Sequence, residues 1–192
     1  MWTILSIQTN NGRRPNDATA SWASRAVCSR DLSDLAQIDA GRLAIEKTVE
    51  NPGRLVCEVV ETLEPVVKKR GGTLRCEVGA EMPVVACDRE RIVQVISNLV
   101  GKASNVGANS IIVHVEPRQG DLVFSVADTG PGIPAEDLPH MFDRYWRKRN
   151  ANYKGTGLGL PISYGIVRAH GGRMWIESTV CAGSTFCFSI PR

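Results

Sequence analysis

The chain has 192 residues, 43% of them hydrophobic and 22% charged, with a formal net charge of +3. That length suits one ordinary domain plus an appendage, and that composition excludes an intrinsically disordered chain. The weak basic balance, with one dense cluster at Arg144, Arg147, Lys148 and Arg149 around Tyr145 and Trp146, argues for a solvated face or anion clamp rather than a nucleic-acid surface.

Residues 1 to 30 carry the least pattern. TILSIQ reads as helical, NNGRRPND as a loop, and SWASRAVCSRDLSDLAQIDAGRL as a helical segment that stops at Gly41. Between 54 and 69, Leu55, Val56, Val59, Val60, Leu63, Val66 and Val67 recur at helical spacing, and Gly71 and Gly72 end the run. TLRCEV (73–78) alternates like a half-buried strand. Asp88 is a good N-cap for a second amphipathic helix, 89–102, marked by Ile92, Val93, Val95, Ile96, Leu99 and Val100. IIVHVE (111–116) and LVFSVA (122–127) flank PRQG and predict an antiparallel hairpin. The stretch 128–160 is rich in Gly and Pro, with a short helix expected near Glu136. PISYGIVRAH predicts a third helix, stopped by Gly171 and Gly172, and MWIES with STFCFSI a closing hairpin.

From about residue 50 this gives roughly three helices and five largely antiparallel strands, an α+β fold with helices on one face of a sheet. The six cysteines, at 28, 57, 76, 87, 181 and 187, form no CxxC pair, which argues against a zinc site or a disulfide framework and suits a reducing cytosol. No apolar run reaches the length of a membrane span and no signal-peptide pattern opens the chain, so the expected location is cytoplasmic.

Two glycine-rich motifs bracket the irregular stretch. DTGPGIP (128–134) sets a carboxylate, Asp128, at a strand end above a tight turn, where it can accept from an exocyclic amino group. KGTGLGLPIS (154–163) sets Gly155, Gly157 and Gly159 ahead of a helix, where backbone N–H groups can wrap phosphates. Either motif alone reads more readily as a turn. Two of them around a long loop favour a nucleotide site under a lid.

The combination resembles the ATP-binding catalytic domain of sensor histidine kinases, in the superfamily that includes gyrase, the ninety-kilodalton chaperone and MutL. QVISNL (94–99) is similar to the N box, DTGPGIP to the first glycine box, MFDRYWR (141–147) to the F box, KGTGLGLPIS to the second glycine box, and AHGGRMWIES with GSTFCFSIP to the closing hairpin. The resemblance implies a two-layer sandwich of the Bergerat type over 50–192, preceded in 1–49 by a remnant of the helical dimerisation hairpin, to whose second helix DLSDLAQIDAGRL is similar. It implies ATP and Mg²⁺ as ligands, transfer of the γ-phosphoryl group to a histidine, and a response-regulator receiver domain as partner, with a full-length kinase or a second copy of the chain as a further one. By position, Asp128 would bind adenine, Gly130 and Gly132 would shape its turn, and Thr185 would lie near the base. Asn98 would lie at the phosphate–metal end, Phe142 would anchor the lid, and Arg144 or Arg147 would approach the γ-phosphate. Gly155, Gly157, Leu158 and Gly159 would close the phosphate pocket.

Two positions depart from that family. Lys102 stands where the N box carries a second asparagine, and an ammonium has three donors and no acceptor, so it cannot ligate a metal. It either neutralises phosphate charge directly or marks a decayed site. The histidines, His114, His140 and His170, lie outside any H-box context and read as structural. The acceptor imidazole is then expected on another chain, upstream of this sequence, or lost, the last alternative making the chain a non-catalytic binding module.

Overall fold

The computed structural model describes residues 31–79, 81–145 and 157–192. TILSIQ, NNGRRPND and the start of the first helical run lie outside the described residues. Residues 31–39 are helical (α1), and Gly41 follows at φ +62°, a left-handed stop that the sequence anticipates.

The remaining order is β1 (Thr48–Glu50), α2 (Pro52–Lys69), β2 (Thr73–Val78), β3 (Val85–Cys87), α3 (Arg89–Asn105), β4 (Ser110–Arg118), β5 (Asp121–Asp128), a 3₁₀ turn (Leu138–His140), α4 (Gly159–Ala169), β6 (Arg173–Ser178) and β7 (Ser184–Pro191). Five strands form one sheet in the order β2-β4-β5-β7-β6, with β2 parallel to β4 and the other pairs antiparallel. β1 and β3 make a separate two-stranded antiparallel pair. The α+β sandwich and both predicted hairpins are present. The PRQG turn has Gln119 at φ +50° and Gly120 at φ +93°, the pair of positive φ values that a two-residue hairpin loop requires.

Helix α2 starts on the Asn51 side chain, which accepts from the Arg54 N–H at 3.0 Å, with Pro52 in the first turn. Helix α3 starts on Asp88, whose carboxylate accepts from the Arg91 N–H at 3.1 Å. The core lies between helices and sheet: Leu55, Val56 and Val59, then Ile92, Ile96 and Leu99, then Ile162 and Ile166, against Ile111, Val113, Leu122, Phe124, Phe186 and Phe188. Phe124 and Phe188 are register partners with rings stacked at 4.7 Å.

Three expectations shift. The helix 89–102 runs on to Asn105. The helix expected near Glu136 is replaced by turns and the 3₁₀ segment Leu138–His140, because Pro134 and Pro139 leave too few amide donors for an α-helical ladder. The third helix begins at Gly159, two residues early, which draws part of the second glycine motif into its first turn.

Candidate nucleotide site

Strand β5 ends at Asp128, whose neighbour in β7 is Ser184. Asp128 is only 8% exposed, and its Oδ1 accepts the Gly130 N–H at 2.8 Å. Burial pushes this carboxyl up from its ordinary value, while the N–H groups of Gly130 and Ser184 and the charge of Lys102 act in the opposite direction. The turn that follows has no room for a side chain at Gly130 or Gly132. A Cβ on Gly130 would stand 2.7 Å from that same carboxylate oxygen. At Gly132, φ is +72° and a Cβ would stand 2.1 Å from the Thr179 carbonyl oxygen. The turn is tied to the β6–β7 connection by Cys181 N–H to Pro131 O at 2.8 Å and Ile133 N–H to Ser178 Oγ at 2.8 Å. A buried acceptor beside exposed backbone suits a flat, amino-bearing ring.

Lys102 reaches this end of the site. Its Nζ lies 5.9 Å from the Phe186 ring centroid, and Phe186 is the β7 residue next but one from the level of Asp128. Burial lowers the lysine's pKa and the Asp128 carboxylate opposes that shift. The ammonium thus shares the Asp128 neighbourhood.

One turn earlier on α3, Asn98 does different work. Its Nδ2 donates to the Gly159 carbonyl at 3.1 Å and to Ser163 Oγ at 3.2 Å, while Ser163 Oγ donates to the same carbonyl at 2.8 Å. Asn98 therefore fastens α3 to the first turn of α4, beside Gly157 at φ +75° and the buried Leu158. The N-terminus of α4 is where backbone N–H groups are available to phosphate.

The F-box residues form a third group. Phe142 packs on Tyr164 of α4, with ring centroids 5.3 Å apart. Arg144 is paired through both Nη atoms with the carboxylate of Asp39 on α1, not with anything at the Asp128 end. Arg147 and Gly155 lie outside the described residues. Thr185 is the neighbour of Ala127 and, by strand alternation, stands on the opposite face from Asp128. Ser184, 6% exposed, occupies the position beside Asp128. Period-two counting back from Phe186 would have found it.

The three histidines sit as expected of structural residues. His170 is 2% exposed, with both ring nitrogens bonded to backbone. His140 faces Asp143 at 2.9 Å, and His114 is half-buried in β4. An open cleft of about 430 Å³ at the starts of α2 and α3 is lined by Glu50, Asn51, Arg54, Glu58 and Arg89; its charged walls are mutually paired, so it is not a second candidate.

A buried acidic strand end with a close-packed glycine turn, and a glycine-led helix fastened to α3 by Asn98, are features that suit a nucleotide-binding fold. Residues 87–192 match the family described as histidine kinase-, DNA gyrase B- and HSP90-like ATPase, and the chain belongs to that family. Within it, the likeness is to histidine kinases. The catalytic domain of the histidine kinase ThkA superposes with a TM-score of 0.67 at 34% identity, over 76% of this chain and 95% of that one. The same kinase in complex with the response regulator protein TrrA gives 0.67 at 28%, over 93% of this chain and 52% of that one. Full-length ShkA in complex with AMPPNP gives 0.77 at 25%, over 84% of this chain and 34% of that one. Among curated proteins, the circadian input-output histidine kinase CikA of Synechococcus elongatus is 34% identical over 84% of this chain. The chain spans 22% of CikA and less than half of the KdpD and SasA sensor kinases that it also matches. No described helix is long and apolar enough to cross a membrane.

Proposed function

We propose that residues 50–192 are the ATP-binding catalytic unit of a cytoplasmic two-component histidine kinase. ATP sits with adenine at Asp128 and its triphosphate toward Gly157, Leu158 and the first turn of α4. The γ-phosphoryl group passes to a histidine supplied by another segment or chain, and from there to an aspartate of a response-regulator receiver domain. Residues 1–49 act as the remnant of a helical dimerisation hairpin, through which a second copy or a full-length kinase would present the acceptor. The observation that carries this reading is Asp128: a carboxylate 8% exposed, held at a strand end by backbone donors over a turn that has no room for a Cβ at Gly130 or Gly132. The AMPPNP complex of ShkA and the TrrA complex of ThkA support nucleotide and receiver-domain partners for proteins of this fold.

Phosphoryl transfer depends chiefly on positioning and electrostatic stabilisation. Asn98 contributes by setting the start of α4. Phe142 seats the base of the lid against Tyr164. Arg144 reaches a phosphate only by leaving Asp39, so the two anions compete for one guanidinium. Mg²⁺ fits poorly. Among the described residues no group of three or more His, Cys, Asp or Glu could hold a metal ion. Asn98 has one candidate oxygen, and Lys102, which has no acceptor, lies toward Phe186 and Asp128 rather than beside Asn98.

Lys102 also supports a second reading, an impaired domain that serves as a binding module, because its ammonium lies within the field of the carboxylate meant for adenine. Calorimetry with a non-hydrolysable ATP analogue separates the two. On the kinase reading the full chain binds, and Asp128→Ala loses roughly ten- to a hundredfold in affinity, the equivalent of about 1.5–3 kcal/mol for a hydrogen bond to a charged group. Equal affinity in both proteins refutes adenine recognition by Asp128. No binding in either leaves the module reading.

A further inference from the structure

Cys57 on α2 and Cys76 on β2 bring their Sγ atoms within 2.9 Å of each other. The way the helix crosses the edge strand produces that approach. Gly53 lies one turn before Cys57 on the same helix face, and Val78 lies two residues after Cys76 on the same strand face. A Cβ on Gly53 would stand 2.6 Å from Val78 Cγ1, so the missing side chain lets the helix settle onto the strand. The next matching level along both elements is Cys57 over Cys76.

The other described cysteines differ. Cys87 and Cys187 are buried and burial pushes each thiol up to about 11, while Cys181 is exposed in the β6–β7 connection. Cys57 and Cys76 are both half-buried, within reach of a small oxidant. Closing a disulfide from their present separation takes less than about 1 Å of sulfur movement.

We propose that Cys57 and Cys76 form a thiol-modification site that closes to an intramolecular disulfide, with a low-molecular-weight disulfide as oxidant, and so braces α2 to β2. The Cys76 thiolate attacks one sulfur of the oxidant and expels a thiolate, giving a mixed disulfide. The Cys57 sulfur, losing its proton, then attacks the Cys76 sulfur and expels the second thiolate. Two protein thiols give up two protons and two electrons, and the oxidant becomes two thiols. Cys57 is the second nucleophile because the hydrogen bond to Cys76, then burial, pushes its thiol up to about 11. The proposal does not depend on nucleotide binding.

The test treats the full chain with oxidised glutathione, blocks remaining thiols by alkylation, and maps peptides under non-reducing conditions. The expected product is monomeric protein with Cys57 linked to Cys76 and a melting temperature raised by roughly 5–10 °C, for a loop of about twenty residues. Reduction reverses both changes. Cys57→Ser and Cys76→Ser each abolish the link, and Cys57→Ser retains glutathione on Cys76. Wild-type protein in which glutathione persists on either cysteine, or in which both are alkylated after treatment, overturns the proposal.

Discussion

His170 holds two helices of the site together through a single protonation state. Its Nδ1 lies 2.8 Å from the Ile166 carbonyl oxygen, which can only accept, and its Nε2 lies 3.0 Å from the Asp88 backbone nitrogen, which can only donate. Only the neutral ring with its proton on Nδ1 satisfies both. Burial, first of all, lowers the pKa below 6.5; the Ile166 bond opposes this, Lys47 adds to it, and Asp88 opposes it. A folded-state value below the unfolded one means stability that is present above pH 6.5 and lost as pH falls through the folded value. Each unit of that depression corresponds to about 1.4 kcal/mol lost. His170→Gln keeps a neutral donor and acceptor, so its melting temperature should change less than wild type's between pH 7 and pH 5. His170→Ala leaves the Asp88 N–H without its acceptor and opens a ring-sized gap, at about 2–4 kcal/mol. The assay is thermal unfolding by circular dichroism at half-unit pH steps. Parallel wild-type and His170→Gln curves across that window would refute the assignment.

Asp34→Ala should strip hydrogen-exchange protection from residues 31–39. Asp34 is 3% exposed and accepts from Arg91 and Gln94, but Arg91 keeps 22% of its side-chain surface, which sets the cost at about 2–3 kcal/mol; unchanged protection would count against the docking. Gly132→Ala should lower the urea midpoint by the equivalent of at least about 2 kcal/mol, and a neutral result would mean that the Thr179 contact relaxes freely. Lys102→Ala should tighten binding of the ATP analogue, with or without Mg²⁺, by removing the ammonium that shares the Asp128 neighbourhood; identical titrations would remove Lys102 from the site. Asp39→Asn should tighten analogue binding by up to about fivefold by freeing Arg144, since an exposed ion pair contributes about 0–1 kcal/mol; equal or weaker binding would refute the competition.

Sequence periodicity disclosed the helices because apolar residues at three- and four-residue spacing must share a face, as Leu55, Val56 and Val59 do. It disclosed β2 by the alternation in TLRCEV, and β4 to β7 as short apolar runs paired across turns. It could not disclose β1 or β3, three residues each, too short to show any period. Alternation in TLRCEV identifies a strand and not its direction, and β2 proves parallel to β4. The glycine motifs were legible as motifs. What they touch was not: Gly132 is packed on Thr179, and Asn98 is bonded across 61 and 65 residues to Gly159 and Ser163. The pairing of Arg144 with Asp39 spans 105 residues, and no local pattern announces such a contact.

Others of these joints gather on one element, α3 with its N-cap. Asp88 at the start of α3 meets His170; Arg91 and Gln94 meet Asp34; Asn98 meets Gly159 and Ser163; Lys102 meets Phe186 and the field of Asp128. The steps between them are three, three, four and four residues, so the five positions recur at helical spacing along α3. The apolar face of the same helix, Ile92, Val95, Ile96, Leu99, Val100 and Ala103, meanwhile faces the core. Packing fixes where α3 lies, and the polar series fixes what is fastened to it: α1, the two ends of α4, and the Asp128 end of the sheet. From Arg91 to Lys102 the axis advances about 16 Å, enough for one helix to span from the α1 dock to the proposed base site. Four of the five positions meet their partners through hydrogen bonds. Lys102 meets a ring face and a carboxylate's field, so a substitution there alters the site's charge without unfastening any of these joints.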